Sequence, residues 1–139
     1  MPSMVPRLFG ILLVAVHVGL GGWAVVGFAE MLFAEVPWTR LSNPLFGPGM
    51  LALQWSLILI AALTFVVGYL RRWRHLPVAM AAIYGAMALT CAWQTFFILE
   101  HATRFREMGI EYVEYAVILL FLFRSAYARE RFGRRGEMV

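Results

Sequence analysis

The sequence predicts an all-α integral membrane protein, a bundle of four transmembrane helices with both termini in the cytoplasm. Three observations predict it. Of the 139 residues, 62% are hydrophobic and only 14% are charged, against about 25% charged in a typical soluble domain. The apolar residues fall into blocks at 8–29, 49–70, 76–99 and 110–128, each close to the roughly 20 residues that a bilayer-spanning helix needs. The arginines cluster at alternate block boundaries, nine on one side against three on the other. By the excess of basic residues on the cytoplasmic side, this asymmetry orients the chain N-in and C-in. The chain reads as one membrane domain over residues 1–139, in a bacterial inner (cytoplasmic) membrane.

The first block, LFGILLVAVHVGLGGWAVVGFA, follows Arg7. Its length, its internal His17 and the lack of a small-x-small cleavage site predict a retained span rather than a cleaved signal. Residues 30–48 form the long outer loop. Leu32, Phe33, Val36, Trp38, Leu41, Leu45 and Phe46 give it too many apolar groups for water, and Pro37, Pro44 and Gly47-Pro48-Gly49 break it into short pieces. It is expected to lie along the membrane interface or over the bundle mouth. The second and third blocks are joined by RRWRH at 71–75, and Pro77 suits the first turn of the third helix. None of the first three blocks contains Asp, Glu, Lys or Arg. Small residues four apart, Ala15/Gly19, Ala81/Gly85 and Ala88/Ala92, predict close helix packing. The basic tail at 129–139 sets topology and can meet anionic headgroups.

The fourth block differs, because it enters a hydrocarbon run through Glu111 and Glu114. With Glu107 these lie at i, i+4 and i+7 and share one face of a helix that begins near 107. Glu107 and Glu111 can reach headgroup water. Glu114 lies about 10 Å along the axis from Glu107 and is expected to face protein or to be protonated. Six of the eight acidic residues fall on the outer side, Glu30 among them. Gln54, early in span two, and Gln94, late in span three, lie at similar depth, as do Trp23, Trp55 and Trp93. This layer, with Glu114, Glu111, Glu30, Gln54, Gln94, Trp23 and Trp93 as its candidate binding residues, reads as an outward-facing pocket suited to a cation, which carboxylates and aromatic faces both attract. The same tryptophans also fit an ordinary interfacial belt.

Other chemistry is sparse. Cys91 is the single cysteine, so neither an intramolecular disulfide nor a cysteine metal cage can form. His17 paired with His75 is the candidate ligand set for a b-type haem, with a quinone as the other candidate cofactor. His101 with Glu100 and Glu30 lacks a recognised ligand spacing, and no metal is assigned. A nucleophile–base pair, a phosphate loop and an HExxH motif are all missing, so no catalytic residue is assigned and enzymatic activity is not expected. The basic balance belongs to membrane boundaries rather than to nucleic acid.

Three functions fit. The first is a non-catalytic accessory subunit of a larger membrane complex, its Glu/Trp layer contacting a partner, cofactor or quinone. The second is a small proton- or cation-coupled carrier, a homo-oligomer using Glu114 for transport. The third is a haem- or quinone-binding anchor.

Overall fold

The computed structural model describes residues 4–33 and 42–133. Over these residues the chain is helical without strands, in the order α1 (Met4–Leu32), α2 (Pro48–Leu70), α3 (Leu76–Phe97), α4 (Arg104–Arg124) and α5 (Ala126–Phe132). The lengths and composition of α1, α2 and α3 suffice to cross a membrane. Helix α4 is long enough but carries Arg104, Arg106, Glu107, Glu111, Glu114 and Arg124, so composition alone does not place it with the other three. The outward faces of the helices show large apolar side chains, including Leu12, Leu63, Leu89 and Leu120, a surface that suits lipid.

Successive long helices run antiparallel. Going up α1, Gly10, His17, Gly21 and Gly27 meet Tyr69, Phe65, Ala62 and Trp55 in turn, going down α2. Gly68 and Gln54 of α2 meet Leu76 and Gln94 of α3. Tyr84 and Cys91 of α3 meet Tyr115 and Glu111 of α4. The outer members of this row, α1 and α4, meet where the Phe9 and Phe121 rings pack edge to face at 5.0 Å.

Two glycines set how closely α1 approaches α2. A methyl group at Gly27 would sit 2.2 Å from the Trp55 ring, and one at Gly10 would sit 2.3 Å from the Tyr69 hydroxyl. Without lipid-excluded water to drive association, such close packing is what holds membrane helices together. The small-residue stripes expected to do this work do not all take part. A side chain at Gly19 or Gly85 would meet open space, because the buried stripe of α1 runs through Gly10, Leu13, His17, Ala24 and Gly27 instead. Amino-acid size alone does not say which way a small residue faces.

The tight link between α2 and α3 is a Schellman turn. Trp73 N–H donates to the Gly68 carbonyl at 2.8 Å and Arg72 N–H to that of Tyr69 at 3.3 Å, with Arg72 left-handed at φ 52°. Glycine usually fills that place, so Arg72 carries a backbone cost of about 1–2 kcal/mol.

The end of the chain departs from the expected span over 110–128. Helix α4 starts six residues earlier, at Arg104, and stops at Arg124. Ser125 turns extended (ψ 129°), and its hydroxyl accepts the Ala128 N–H at 3.4 Å, capping the new helix α5. A serine can offer the backbone this alternative to continuing a helix, which an apolar run does not reveal. Helix α5 is therefore part of the fold and not a free tail: Ala128 and Phe132 are buried, and Tyr127 Oη lies 2.9 Å from Tyr69 Oη. Arg131 donates to the Tyr69 carbonyl at 2.9 Å and lies over the Tyr69 ring. Residues 134–139 of the expected tail lie outside the described residues.

The dense core, built on Leu13, Phe65, Tyr69, Leu76, Met80, Tyr84, Leu122 and Phe132, sits toward the end of the bundle that holds the 71–75 link and α5. The opposite half is looser and more polar. There α1 runs on to Leu32, and Glu30 accepts hydrogen bonds from both the N–H and the hydroxyl of Ser42, at 3.0 and 2.9 Å. Val36, Trp38 and Leu41 of the expected interfacial loop lie outside the described residues.

Candidate functional site

Above the Phe9–Phe121 contact a cleft of about 660 Å³ opens between α1 and α4. Its walls are mostly apolar: Phe9, Leu13, Val16 and Leu20 from α1, Ile58 and Ala61 from α2, Met87 from α3, and Ile110, Val113 and Val117 from α4. Its ionisable and aromatic members are Glu107, Glu111, Glu114, His17, Tyr84 and Tyr115, with neither Arg nor Lys. The volume falls in the range of ordinary small-molecule sites, and apolar walls with a few convergent polar groups are their usual make-up.

At the back of the cleft lies a fixed polar chain. His17 is fully buried and stacks on Phe65, with ring centroids 3.9 Å apart and planes 8° from parallel. Its Nδ1 lies 2.7 Å from the Leu13 carbonyl oxygen, which can only accept, so Nδ1 carries the proton. In the neutral ring Nε2 is therefore the acceptor, and it takes the hydrogen bond of the Tyr84 hydroxyl at 2.7 Å. Tyr84 in turn stacks on Tyr115 at 4.7 Å. The Tyr115 hydroxyl donates to Glu111 Oε1, and the Cys91 thiol donates to Glu111 Oε2 at 3.1 Å. Three helices thus hold Glu111 and the two tyrosines in place. Glu114, one turn further along α4, is exposed and borders the same cleft as Tyr84.

A second, smaller cavity of about 80 Å³ lies behind Glu111, between α2, α3 and α4. Gln94 Nε2 donates to Gln54 Oε1 at 3.1 Å across it. At the mouth of the cleft Glu107 accepts from the Thr103 hydroxyl at 2.6 Å and from His101 Nε2 at 2.9 Å. The Thr103 bond first, and then His101, hold its carboxyl below the usual carboxylate range.

The expected site residues do not all converge. Glu111 and Glu114 border the cleft, while Gln54 and Gln94 border the smaller cavity with Glu111. Trp23 and Trp93 are 53% and 55% exposed on the outside of the bundle, as interfacial residues are, and Glu30 is engaged with Ser42. The two histidines considered for haem are also apart. His75 caps α3 at the link and accepts from Arg74 Nε at 2.8 Å, whereas His17 meets α3 at Tyr84, about 13 Å further along that helix. Both ring nitrogens of His17 are engaged, by the Leu13 carbonyl and the Tyr84 hydroxyl. Among the described residues no group of three His, Cys, Asp or Glu could hold a metal ion.

Tyr84, Tyr115 and Cys91 are not among the site residues that the sequence points to. Glu111 and Tyr115 are four apart, and Tyr84 and Cys91 seven apart, so each pair shares a helix face. That the two faces meet is a tertiary fact. Comparison of the chain with family models, curated proteins and solved structures returned no match.

Proposed function

We propose that the chain is an integral membrane protein of four crossings, N-in and C-in in a bacterial inner membrane, that binds a lipophilic cation in the α1/α4 cleft as a small coupled carrier. The observation that carries this reading is the composition of the cleft wall: three carboxylates, two tyrosine rings and no basic side chain but a histidine whose two nitrogens are already engaged. Carboxylates and tyrosine faces attract cations, and the apolar remainder accommodates a hydrocarbon body. In this reading α4 is the fourth crossing. Glu111 and Glu114 border the cleft, and Glu111 is hydrogen-bonded within the bundle, which lowers the cost of carrying that acid into a span. The cleft sets this reading above that of an accessory subunit, whose partner contacts would need no cavity of ligand size. The engagement of both His17 nitrogens sets it above a haem anchor.

The test uses the purified full chain in nanodiscs and a tetraarylphosphonium ion as probe, followed by equilibrium dialysis. Replacing Glu114 with Gln keeps its size and removes its charge. A desolvated carboxylate–cation contact worth ~1.4 kcal/mol or more corresponds to at least tenfold in Kd. Binding should therefore weaken about tenfold in E114Q, and raising proton concentration should compete with the probe in the original protein. Equal binding by E114Q, or by a neutral isostere of the probe, would overturn the reading.

A further inference from the structure

The 80 Å³ cavity behind Glu111 has a wall unlike that of the cleft. Gln54, Thr90, Cys91, Gln94 and Glu111 border it, five polar side chains of which Cys91 is buried and the other four half-buried. Each water molecule needs roughly 10–15 Å³ of such space and two to four polar partners, so several fit. The single bond between Gln94 and Gln54 leaves donor and acceptor capacity on both amides. The Thr90 hydroxyl donates to the Ala86 carbonyl at 2.9 Å and keeps its lone pairs free to accept.

Position supplies the route. Gln54 is six residues from the start of α2, Gln94 three from the end of α3 and Glu111 seven from the start of α4. At 1.5 Å per residue the cavity lies within about 10 Å of that end of the bundle. Glu111 is the one ionisable side chain bordering both this cavity and the cleft.

We infer that this cavity is a hydrated vestibule through which protons reach Glu111, making Glu111 the residue that couples proton entry to occupancy of the cleft. The inference rests on the carrier reading for its purpose, but not for its test. A hydronium in the vestibule gives one proton to the Glu111 carboxylate, leaving water and a neutral acid. The cleft has then lost one negative charge facing its cation. The titratable groups around Glu111 are Cys91 and Tyr84 from α3 and Tyr112, Tyr115, Glu114 and Glu107 from α4, with His17 of α1 beyond Tyr84; the Tyr112 hydroxyl is engaged with the Ala88 carbonyl, and α2 contributes the uncharged Gln54. Cys91 donates to Glu111 instead of competing for the proton, and it makes the vestibule observable.

As the only cysteine, Cys91 gives a single S–H stretching band in the infrared. The full chain in lipid bilayers is hydrated with D2O and the conversion of S–H to S–D is followed, with E111Q assigning the hydrogen-bonded band by its shift. In the original protein S–H should exchange well before the protected amides of α2 and α3. In Q54L/Q94L, which lines the vestibule with hydrocarbon, exchange should slow at least about tenfold, ~1.4 kcal/mol in barrier. S–H exchange no faster than the core amides, or equally fast in both proteins, would overturn the inference. The amide comparison stands even if the double variant does not fold. Loss of phosphonium binding would remove the carrier reading and leave the exchange result intact.

Discussion

Replacing Tyr84 with Phe removes one oxygen from the centre of the protein and nothing else. The ring keeps its place against Tyr115, and no cavity larger than a hydroxyl forms. The consequence falls on His17, which cannot relax. Its ring is clamped flat on Phe65 and its Nδ1 is committed to the Leu13 carbonyl, so Nε2 is left buried without a donor. An orphaned buried acceptor costs about 1–3 kcal/mol. Polar contacts within membrane bundles average nearer 0.6 kcal/mol, because the unfolded chain in lipid also finds partners. With His17 fully buried and held from two sides, the expected loss lies at about 1–2 kcal/mol, a factor of roughly five to thirty in the unfolding equilibrium. The assay is reversible SDS unfolding in mixed micelles, run as a cycle with His17→Leu and the double variant. His17→Leu alone strands the Tyr84 hydroxyl instead, so the two losses should not add. A coupling energy of ~1 kcal/mol is expected, and additivity within about 0.5 kcal/mol would refute the hydrogen bond as the link between α1 and α3.

Gly27→Ala should destabilise by about 1–3 kcal/mol in the same assay, because the new methyl overlaps the 2%-exposed Trp55 ring, whereas Gly19→Ala and Gly85→Ala, facing open space, should cost nothing. At the mouth of the cleft, NMR titration should find Glu107 ionising below the ordinary carboxylate range, with Thr103→Ala moving it back up. Because the folded-state value is depressed, the Thr103 and His101 contacts are in place above the ordinary carboxylate pKa and are lost as pH falls through the lowered value.

What the sequence discloses depends on whether the information is local. Long uncharged blocks disclose α1, α2 and α3, and the spacing of Glu107, Glu111 and Glu114 discloses the face that borders the cleft. Chain position puts Gln54 and Gln94 at one depth, where their amides meet. By contrast, the break at Ser125 falls on a short polar step, Arg124-Ser125, between apolar residues and depends on one side chain capping the backbone. The burial of His17 was equally invisible, since its partners Phe65 and Tyr84 stand 48 and 67 residues away. Trp23 and Trp93 occupy the expected depth but face outward, because depth is set by position along a helix and direction by packing.

The Phe9–Phe121 contact joins the two walls of the cleft at one end. Glu114 lies seven residues from Phe121 along α4, a distance of about 10 Å. Any tilt of α4 about that contact would carry Glu111 and Tyr115 along with Glu114, so it has to break their contacts with Cys91 and Tyr84 of α3. The Phe121 ring also lies 6.4 Å from that of Tyr127, beyond the turn at Ser125. Helix α5 is thereby tied to the closed end of the cleft, at the opposite end of α4 from Glu107.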